Sequence, residues 1–303
     1  TSNEESWQRW RNTILASFFT VSILAIVNYI PPDTWPTGGR VGDRNSFSTF
    51  VVLIVPFLLL GISQSGIRGM PAMLIWLSVP LALVTGFLTN NRIMWPTFAL
   101  MTVLFAVLYL YKADLGKRAR IVSGAVVLGL LVVFTALFAV VSHQKDGVVE
   151  QNIAGVKNSF AEDPRFVIWS YAANRISERP LTGYGYGRGI LRKDFREALG
   201  SPLRWHAHNM FLNYILEMGP LGGVALIWLF AALAMEFWRL YRSSDGMSWQ
   251  QGIFGLVVLG GIAIKATTDD ILVRDNSLLF WALMGMALGL GHRTSRQAVS
   301  RPG

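Results

Sequence analysis

The chain has 303 residues, of which 52% are hydrophobic and only 15% are charged. Soluble domains carry about a quarter of charged residues, so this composition excludes an ordinary soluble domain and indicates a membrane protein. The formal net charge is +9, yet no basic helix and no soluble module rich in stacking residues accompanies it, which argues against nucleic acid as a partner. Cysteine is absent, which excludes disulfide bonds and thiolate chemistry.

Apolar stretches of roughly 17–24 residues are long enough to cross a bilayer as helices. They predict an all-α polytopic integral membrane protein with about eight transmembrane helices and a large, partly helical loop. The predicted spans are Thr13–Ile30, Phe47–Ser63, Met70–Thr89, Ile93–Tyr111, Arg120–Ser142, Leu221–Tyr241, Gln251–Thr268 and Ser277–Gly291. We divide the chain into a five-span region (1–142), the large loop (143–207) and a C-terminal region (208–303) with one motif-bearing helix and three spans.

The basic residues predict the orientation of these spans, because Lys and Arg concentrate in short loops on the cytoplasmic side. If the N-terminus is cytoplasmic, most Lys and Arg residues of the tails and short loops lie inside. The short outer loops then hold only Arg40, Arg44, Arg92 and Arg274. Both termini are therefore predicted inside, and the large loop is predicted outside.

The large loop has the pattern of a folded cap on the membrane. Pro164 and Pro180 bound a predicted helix, Arg165–Arg179, and Gly189–Leu199 is predicted as a second, more charged helix. The glycine-rich stretch between them predicts turns that need positive φ beside packed backbone. The apolar face of the first helix is predicted from residues at spacings of three and four: Phe166, Trp169, Ala172, Ala173 and Ile176.

Two arginines stand out at the predicted outer face. Arg92 lies in a short turn between two spans, where it either snorkels or binds phosphate at headgroup depth. Arg165 begins the first loop helix, and helix N-termini favour anions, although pairing with Glu162 or Asp163 is the alternative. The secondary arginine candidates in the outer loops are Arg40 and Arg188.

His208 stands at the start of a helix near the membrane surface, where an imidazole can serve acid–base chemistry or act as a structural donor. Asn209 could orient that imidazole or donate to a substrate. His206 forms an H-x-H pair with His208, but a metal would need a distant third ligand such as Asp269 or Asp270. We therefore predict a site without metal.

These residues resemble the signatures of a known family. His208-Asn209, nine residues, then Gly219-Pro220-Leu221-Gly222 is similar to the His-(Asn/Ser/Gln)-x9-Gly-x-x-(Gly/Thr/Tyr) signature of bacterial O-antigen ligases. Arg165-Phe166-Val167-Ile168-Trp169 and Pro180-Leu181-Thr182-Gly183-Tyr184-Gly185 resemble the Arg-x-x-x-Trp and Pro-Leu-x-Gly-x-Gly elements of the wider ligase and polymerase superfamily. Asn90-Asn91-Arg92 stands where that superfamily has an arginine at the outer end of a span.

The resemblance implies a glycosyltransferase of the bacterial inner membrane with its active site facing the periplasm. Such an enzyme moves O-antigen polysaccharide from undecaprenyl diphosphate to lipid A-core, among membrane lipids and without metal, nucleotide or other cofactor. It implies that His208 is the essential histidine and that Arg92 and Arg165 bind the diphosphate. Family members usually have about a dozen spans, and this chain begins with Thr1, so we expect that the first spans of a longer protein are missing.

Three alternatives remain open on the sequence. An O-antigen or exopolysaccharide polymerase and a protein O-oligosaccharyltransferase share the donor and differ in the acceptor. A polysaccharide transporter would show inverted repeats and a discontinuous helix pair near the middle of the membrane, and the sequence shows neither. Paired carboxylates at glycosidase spacing are not evident, which favours transfer over hydrolysis.

Overall fold

The computed structural model describes residues 2–29, 44–63, 68–152, 164–187, 189–200 and 206–299. Across these ranges the chain forms ten α-helices and no strand. The helices are α1 (Ser2–Tyr29), α2 (Arg44–Ser63), α3 (Met70–Leu88), α4 (Met94–Lys112), α5 (Lys117–Asn152), α6 (Pro164–Glu178), α7 (Arg192–Leu199), α8 (Met210–Arg242), α9 (Gly246–Ala266) and α10 (Arg274–Val299).

Seven of the described helices are long and apolar enough to cross a membrane: α1 to α5, α8 and α9. The prediction of an all-α polytopic membrane protein is therefore confirmed. The eighth predicted span, Ser277–Gly291, lies inside α10, which is not one of the seven. Polar residues flank the apolar stretch of α10 on both sides, Asn276 before it and His292 after it.

The predicted motif helix and the predicted span at Leu221 meet within α8. The main chain leaves the helical conformation at Gly219 (φ 70°, ψ −173°), which separates the two helical parts of α8, and the second part begins with Pro220. Glycine and proline commonly kink a helix. Apolar residues continue on both sides of this pair, so the chain resumes the helix after the bend.

Helix α9 lies at the centre of the bundle and packs against α2, α4, α8 and α10. Small residues on two of its faces allow close approach. A Cβ on Gly252 would lie 2.3 Å from the main-chain nitrogen of Tyr241 in α8, and one on Gly261 would lie 2.5 Å from the sulfur of Met101 in α4. The hydroxyl of Tyr241 donates to the carbonyl of Leu108 at 3.0 Å, which joins α8 directly to α4.

Hydrogen bonds between helix termini define one end of the bundle. The side chain of Asn91, just before α4, donates to Asn45 at the start of α2 at 3.3 Å. Asn276 in the first turn of α10 donates to a main-chain carbonyl in the first turn of α2 at 3.0 Å. Asn209, just before α8, donates to the carbonyl of Thr267, just after α9, at 3.0 Å. We call this the cap end.

Helices α6 and α7 pack on the first turns of α8 and form the cap. The indole N–H of Trp169 donates to the carbonyl of Ala207 at 2.9 Å, which fixes α6 against the segment before α8. Ile168 and Ala172 are buried, whereas Phe166 and Ala173, two of the residues predicted on the apolar face, are exposed. The apolar core of the cap consists of Ile168, Ala172, Leu191, Phe195, Ala207 and Leu216.

The segment Leu181–Gly187, which we call the strap, leads from α6 towards α7. One nitrogen of Arg175 bonds Glu178 and another bonds Asp194 of α7, each at 2.6 Å. The hydroxyl of Tyr184 in the strap donates to Glu178 at 2.7 Å. These hydrogen bonds, from Tyr184 and then from Arg175, hold the pKa of Glu178 below its usual range. Arg175 therefore joins the parts of the cap.

The packing of α9 gives a prediction with a matched control. Gly252→Ala should lower the free energy of unfolding by about 1–3 kcal/mol, because the added methyl meets the main chain of α8. Gly285→Ala, on α10, makes the same change where nothing lies within 4 Å. Thermal unfolding in detergent compares the two variants. Equal melting temperatures would show that the α8–α9 contact tolerates a methyl group.

Candidate active site

His208 lies at a turn just before α8. Its φ of 47° is in the left-handed region, which few residues other than glycine adopt. The amide of His208 donates to Nδ1 of His206 at 3.0 Å, and the centroids of the two imidazole rings lie 3.9 Å apart. His206 is buried and His208 is half-buried. The buried ring therefore holds the main chain that presents the more accessible imidazole.

Asp269 reaches the same place from the end of α9. Nitrogen and oxygen atoms of His206, His208 and Asp269 lie within 4.8 Å of one another, a spacing that could hold a metal ion. However, Nδ1 of His206 accepts an amide proton, so in this arrangement the neutral ring carries its own proton on Nε2. Binding a metal through either nitrogen would break that arrangement. The metal-free site stays a prediction, which this hydrogen bond favours.

Asn209, a secondary candidate from the sequence, serves the frame of the site. Its side-chain oxygen accepts the amide of Leu212 at 3.1 Å, which caps the start of α8. Its side-chain nitrogen donates to the carbonyl of Thr267 at 3.0 Å. Both polar atoms of the Asn209 amide thus bond to main-chain groups, and they fix α8 against the end of α9.

Asn213 was missed by the sequence reasoning. It is buried, its oxygen accepts the amide of Ala207 at 3.0 Å, and its nitrogen donates to Asp270 at 3.2 Å. The amide of Asp270 in turn donates to the side chain of Asp269 at 2.9 Å. Asn213 therefore links the histidine segment to the two carboxylates. Its position one helical turn after Asn209 was the available signal.

The strap bonds to α8 where the helix bends. Pro220 has no N–H to bond the carbonyl of Leu216 in the helix. That carbonyl instead accepts the amide of Tyr184 at 2.9 Å, and the next one, of Glu217, accepts the amide of Gly185 at 2.8 Å. Two main-chain hydrogen bonds thus attach the cap to the bent helix.

Glycines permit this close approach from both sides. Gly183 has a φ of 63°, and a Cβ there would lie 2.6 Å from the carbonyl oxygens of Leu216 and Glu217. Gly219 has a φ of 70°, and a Cβ there would lie 2.2 Å from the carbonyl oxygen of Leu181. Gly183, Gly185 and Gly187 adopt the positive φ predicted for the glycine run, but packed main chain lies beside Gly183 alone, because Gly185 meets the side chain of Ile190 and Gly187 meets nothing within 4 Å.

Arg92 follows a tightly held turn at the cap end. The side chain of Asn91 is buried and donates to Asn45 at 3.3 Å and to Ser48 at 3.1 Å, both on α2. The preceding residue, Asn90, adopts a φ of 51°. Arg92 itself is half-buried. The turn thus fixes the main chain of Arg92 at the same end of the bundle as the histidines.

Arg165 occupies the first turn of α6 and is half-buried. It stands one helical turn before Trp169, whose indole bonds the carbonyl of Ala207 next to His208. The structure therefore gathers His208 with His206 and an aspartate, and it attaches the helices of both predicted arginines to that end. Two secondary candidates lie outside the described residues: Arg40 and Arg188.

Comparison with known proteins identifies the family. Residues 77–227, about half of the chain, match the family model described as O-antigen ligase. The chain belongs to this family. The matched segment of this O-antigen ligase family member contains Arg92, Arg165, His206 and His208.

Its relatives carry related names. A candidate polysaccharide ligase of Rickettsia typhi is 34% identical over 101 residues, 30% of this chain and 24% of the relative. Another, of Rickettsia prowazekii, is 33% identical over 103 residues, again 30% of this chain and 24% of the relative. A ComP-specific O-oligosaccharyltransferase of Acinetobacter baylyi is 24% identical over 211 residues, 69% of this chain and 37% of the relative. The chain thus matches less than half the length of these relatives.

The attachment of the strap can be tested with two glycines of nearly equal φ. Gly183→Ala should detach the strap, because the methyl group meets two carbonyl oxygens. Gly200→Ala, at a φ of 58° with nothing within 4 Å, carries only the left-handed strain of about 1–2 kcal/mol. Hydrogen exchange of the Tyr184 and Gly185 amides should accelerate in Gly183→Ala alone. Equal acceleration in both variants would reduce the effect to backbone strain.

Proposed function

We propose that this chain transfers O-antigen polysaccharide from undecaprenyl diphosphate to lipid A-core at the periplasmic face of the bacterial inner membrane. One observation carries the proposal: the segment that matches the O-antigen ligase family contains Arg92, Arg165 and His208. The fold supports the proposal because the segments that bear these residues meet at the cap end. Membrane lipids surround the site, and no cofactor is required by this chemistry.

The proposed reaction is a single displacement at the anomeric carbon. A hydroxyl oxygen of the acceptor forms the new bond to that carbon, the bond to the diphosphate oxygen breaks, and the configuration inverts. The hydroxyl proton passes to the imidazole of His208 as general base. The diphosphate leaves with the bonding electrons, and its negative charge is stabilised by the guanidinium groups of Arg92 and Arg165.

Asp269 gives this proton transfer electrostatic support. Its carboxylate is buried and lies within 4.8 Å of the ring nitrogens of the two histidines. A nearby negative charge favours the imidazolium that forms when the base takes a proton. His206 contributes by holding the amide of His208 at 3.0 Å, so the base does not have to be oriented during the reaction.

A protein acceptor is the second candidate. The ComP-specific O-oligosaccharyltransferase matches 69% of this chain, more than either rickettsial relative named above. Purified protein incubated with a defined undecaprenyl-diphosphate glycan separates the two functions. Transfer to purified lipid A-core supports the ligase, whereas transfer only to a protein acceptor such as ComP supports the alternative. Extension of the lipid-linked glycan alone would indicate a polymerase.

Loss of the proposed base gives the first activity prediction. His208→Ala should reduce transfer by a factor of roughly 10² to 10⁴, because the acceptor hydroxyl loses its proton acceptor. His292→Ala is the control, since His292 lies in the last turns of α10, near Glu236 of α8 and far from the cap end. Both variants should keep the wild-type melting temperature. Transfer by His208→Ala at the wild-type rate would remove this imidazole from the mechanism.

The shape of the cation at Arg92 gives the second activity prediction. Arg92→Lys should lower transfer by a factor of about 10 to 100, as expected when a charge-assisted hydrogen bond is lost. The reason is that an ammonium group cannot bind two diphosphate oxygens at once, as the fork of a guanidinium group can. Arg239→Lys, an exposed arginine paired with Glu236 at the other end of the bundle, is the control. Unchanged transfer in Arg92→Lys would favour a snorkelling role.

A further inference from the structure

The uncharged part of α8 marks where the membrane ends. Glu217 and Glu236 are the charged residues that bracket it, and between them Met218–Met235 contains no charged residue. This stretch has the length of about 18 residues, or ~27 Å as a helix, close to the ~30 Å hydrocarbon core of a bilayer. The boundary of the hydrocarbon at the cap end therefore lies at Glu217 to Gly219.

The strap is attached to α8 at this same level. Its amide at Gly187 donates to the carboxylate of Glu217 at 3.2 Å. The carbonyl of Leu181 packs directly on Gly219, where a Cβ would lie within 2.2 Å of its oxygen. Both ends of the strap thus contact α8 at the cap-side end of the uncharged stretch, at Glu217 and Gly219.

A lipid-facing stripe of α8 continues below the strap. Leu221, Val224 and Trp228 follow one another beyond the bend at spacings of three and four, which place them on one side of the helix. Leu221 is 78% exposed, Val224 62% and Trp228 68%, as expected of side chains that face lipid in a span. Because the carbonyl of Leu181 packs on Gly219, two residues before Leu221, the strap lies next to the start of this stripe.

Two large side chains of the strap are exposed where water would not favour them. Leu181 and Tyr186 are each 78% exposed. Leaving a leucine in water costs about 1.5–3 kcal/mol relative to burial, whereas tyrosine prefers the boundary between headgroups and acyl chains. Side chains of this kind, continuous with a lipid-facing stripe, fit a lipid surface better than an aqueous one.

We propose that the strap is embedded in the lipid leaflet at the cap end, with Leu181 among the acyl chains and Tyr186 at headgroup level. The partner of this surface is the bilayer itself, because the exposed stripe below it already faces lipid. The cap is then held at a set depth by lipid contacts as well as by α8. His208 stands just before α8 begins at Met210, and the helix from Met210 to Glu217 rises about 10 Å above the boundary. That height suits a sugar carried beyond a membrane-bound diphosphate, and this last clause alone rests on the proposed function.

The absence of cysteine from this chain makes the test direct. Leu181→Cys and Tyr186→Cys are each labelled with bimane and placed in nanodiscs without any donor. The emission of both labels should shift to the blue. Aqueous iodide should quench them less than it quenches the control label in water, and lipids that carry a nitroxide near the headgroup should quench them. Lys193→Cys on α7, with a side chain 85% exposed, is the aqueous control. Trp228→Cys is the control for deep lipid exposure.

The outcomes separate clearly. Labels at Leu181 and Tyr186 that iodide quenches as strongly as the Lys193 label would overturn the proposal. Shielding from iodide without quenching by nitroxide lipids would also overturn it, because a second copy of the chain would then cover the strap. Since the measurement uses neither donor nor acceptor, it stands apart from any failure of the glycan transfer assay.

Discussion

The bend of α8 at Gly219–Pro220 is the feature on which the candidate site depends. A main-chain carbonyl left without a hydrogen bond near the hydrocarbon costs several kcal/mol, so a broken helix is tolerated only where another group bonds it. Here the amides of Tyr184 and Gly185 bond the carbonyls of Leu216 and Glu217. The break and the strap therefore require each other, which explains why a Gly-Pro pair in one segment accompanies a glycine run in another.

The main chain of the histidine segment is also held by hydrogen bonds, at Ala207 and at His208. The amide of Ala207 donates to Asn213 and its carbonyl accepts the indole of Trp169. The amide of His208 donates to the ring of His206. Because these bonds come from α6, α8 and the segment itself, the left-handed conformation of His208 is held before any substrate arrives. A base that is already oriented avoids the entropy cost of orientation during the reaction.

Sequence reasoning succeeded where one segment carries its own signal. The apolar length of seven of the eight predicted spans identified the membrane helices, and prolines bounded the first cap helix close to its observed limits. It failed where a distant residue decides. Phe166 was placed on the apolar face of α6 because residue spacing alone cannot foresee the bond of Trp169 to Ala207. Asn213 was missed because its partner, Asp270, lies far away in the chain. For the same reason His208 could be named from its motif, whereas Asp269 was named only as one of two possible ligands.

The arginines at the two ends of α6 have different surroundings, so the arginines of this loop do not all serve one purpose. Near the C-terminal end, Arg175 and Arg179 lie 5.0 and 4.8 Å from the ring of Tyr184, and Arg175 pairs with Asp194. These cations offset the negative end of the helix dipole and hold the cap together. Arg165 stands at the N-terminal end, where the helix dipole adds to its positive charge. In the proposed function the diphosphate binds at this Arg165 end of α6, one turn from the hydrogen bond of Trp169 to Ala207 that joins α6 to the histidine segment.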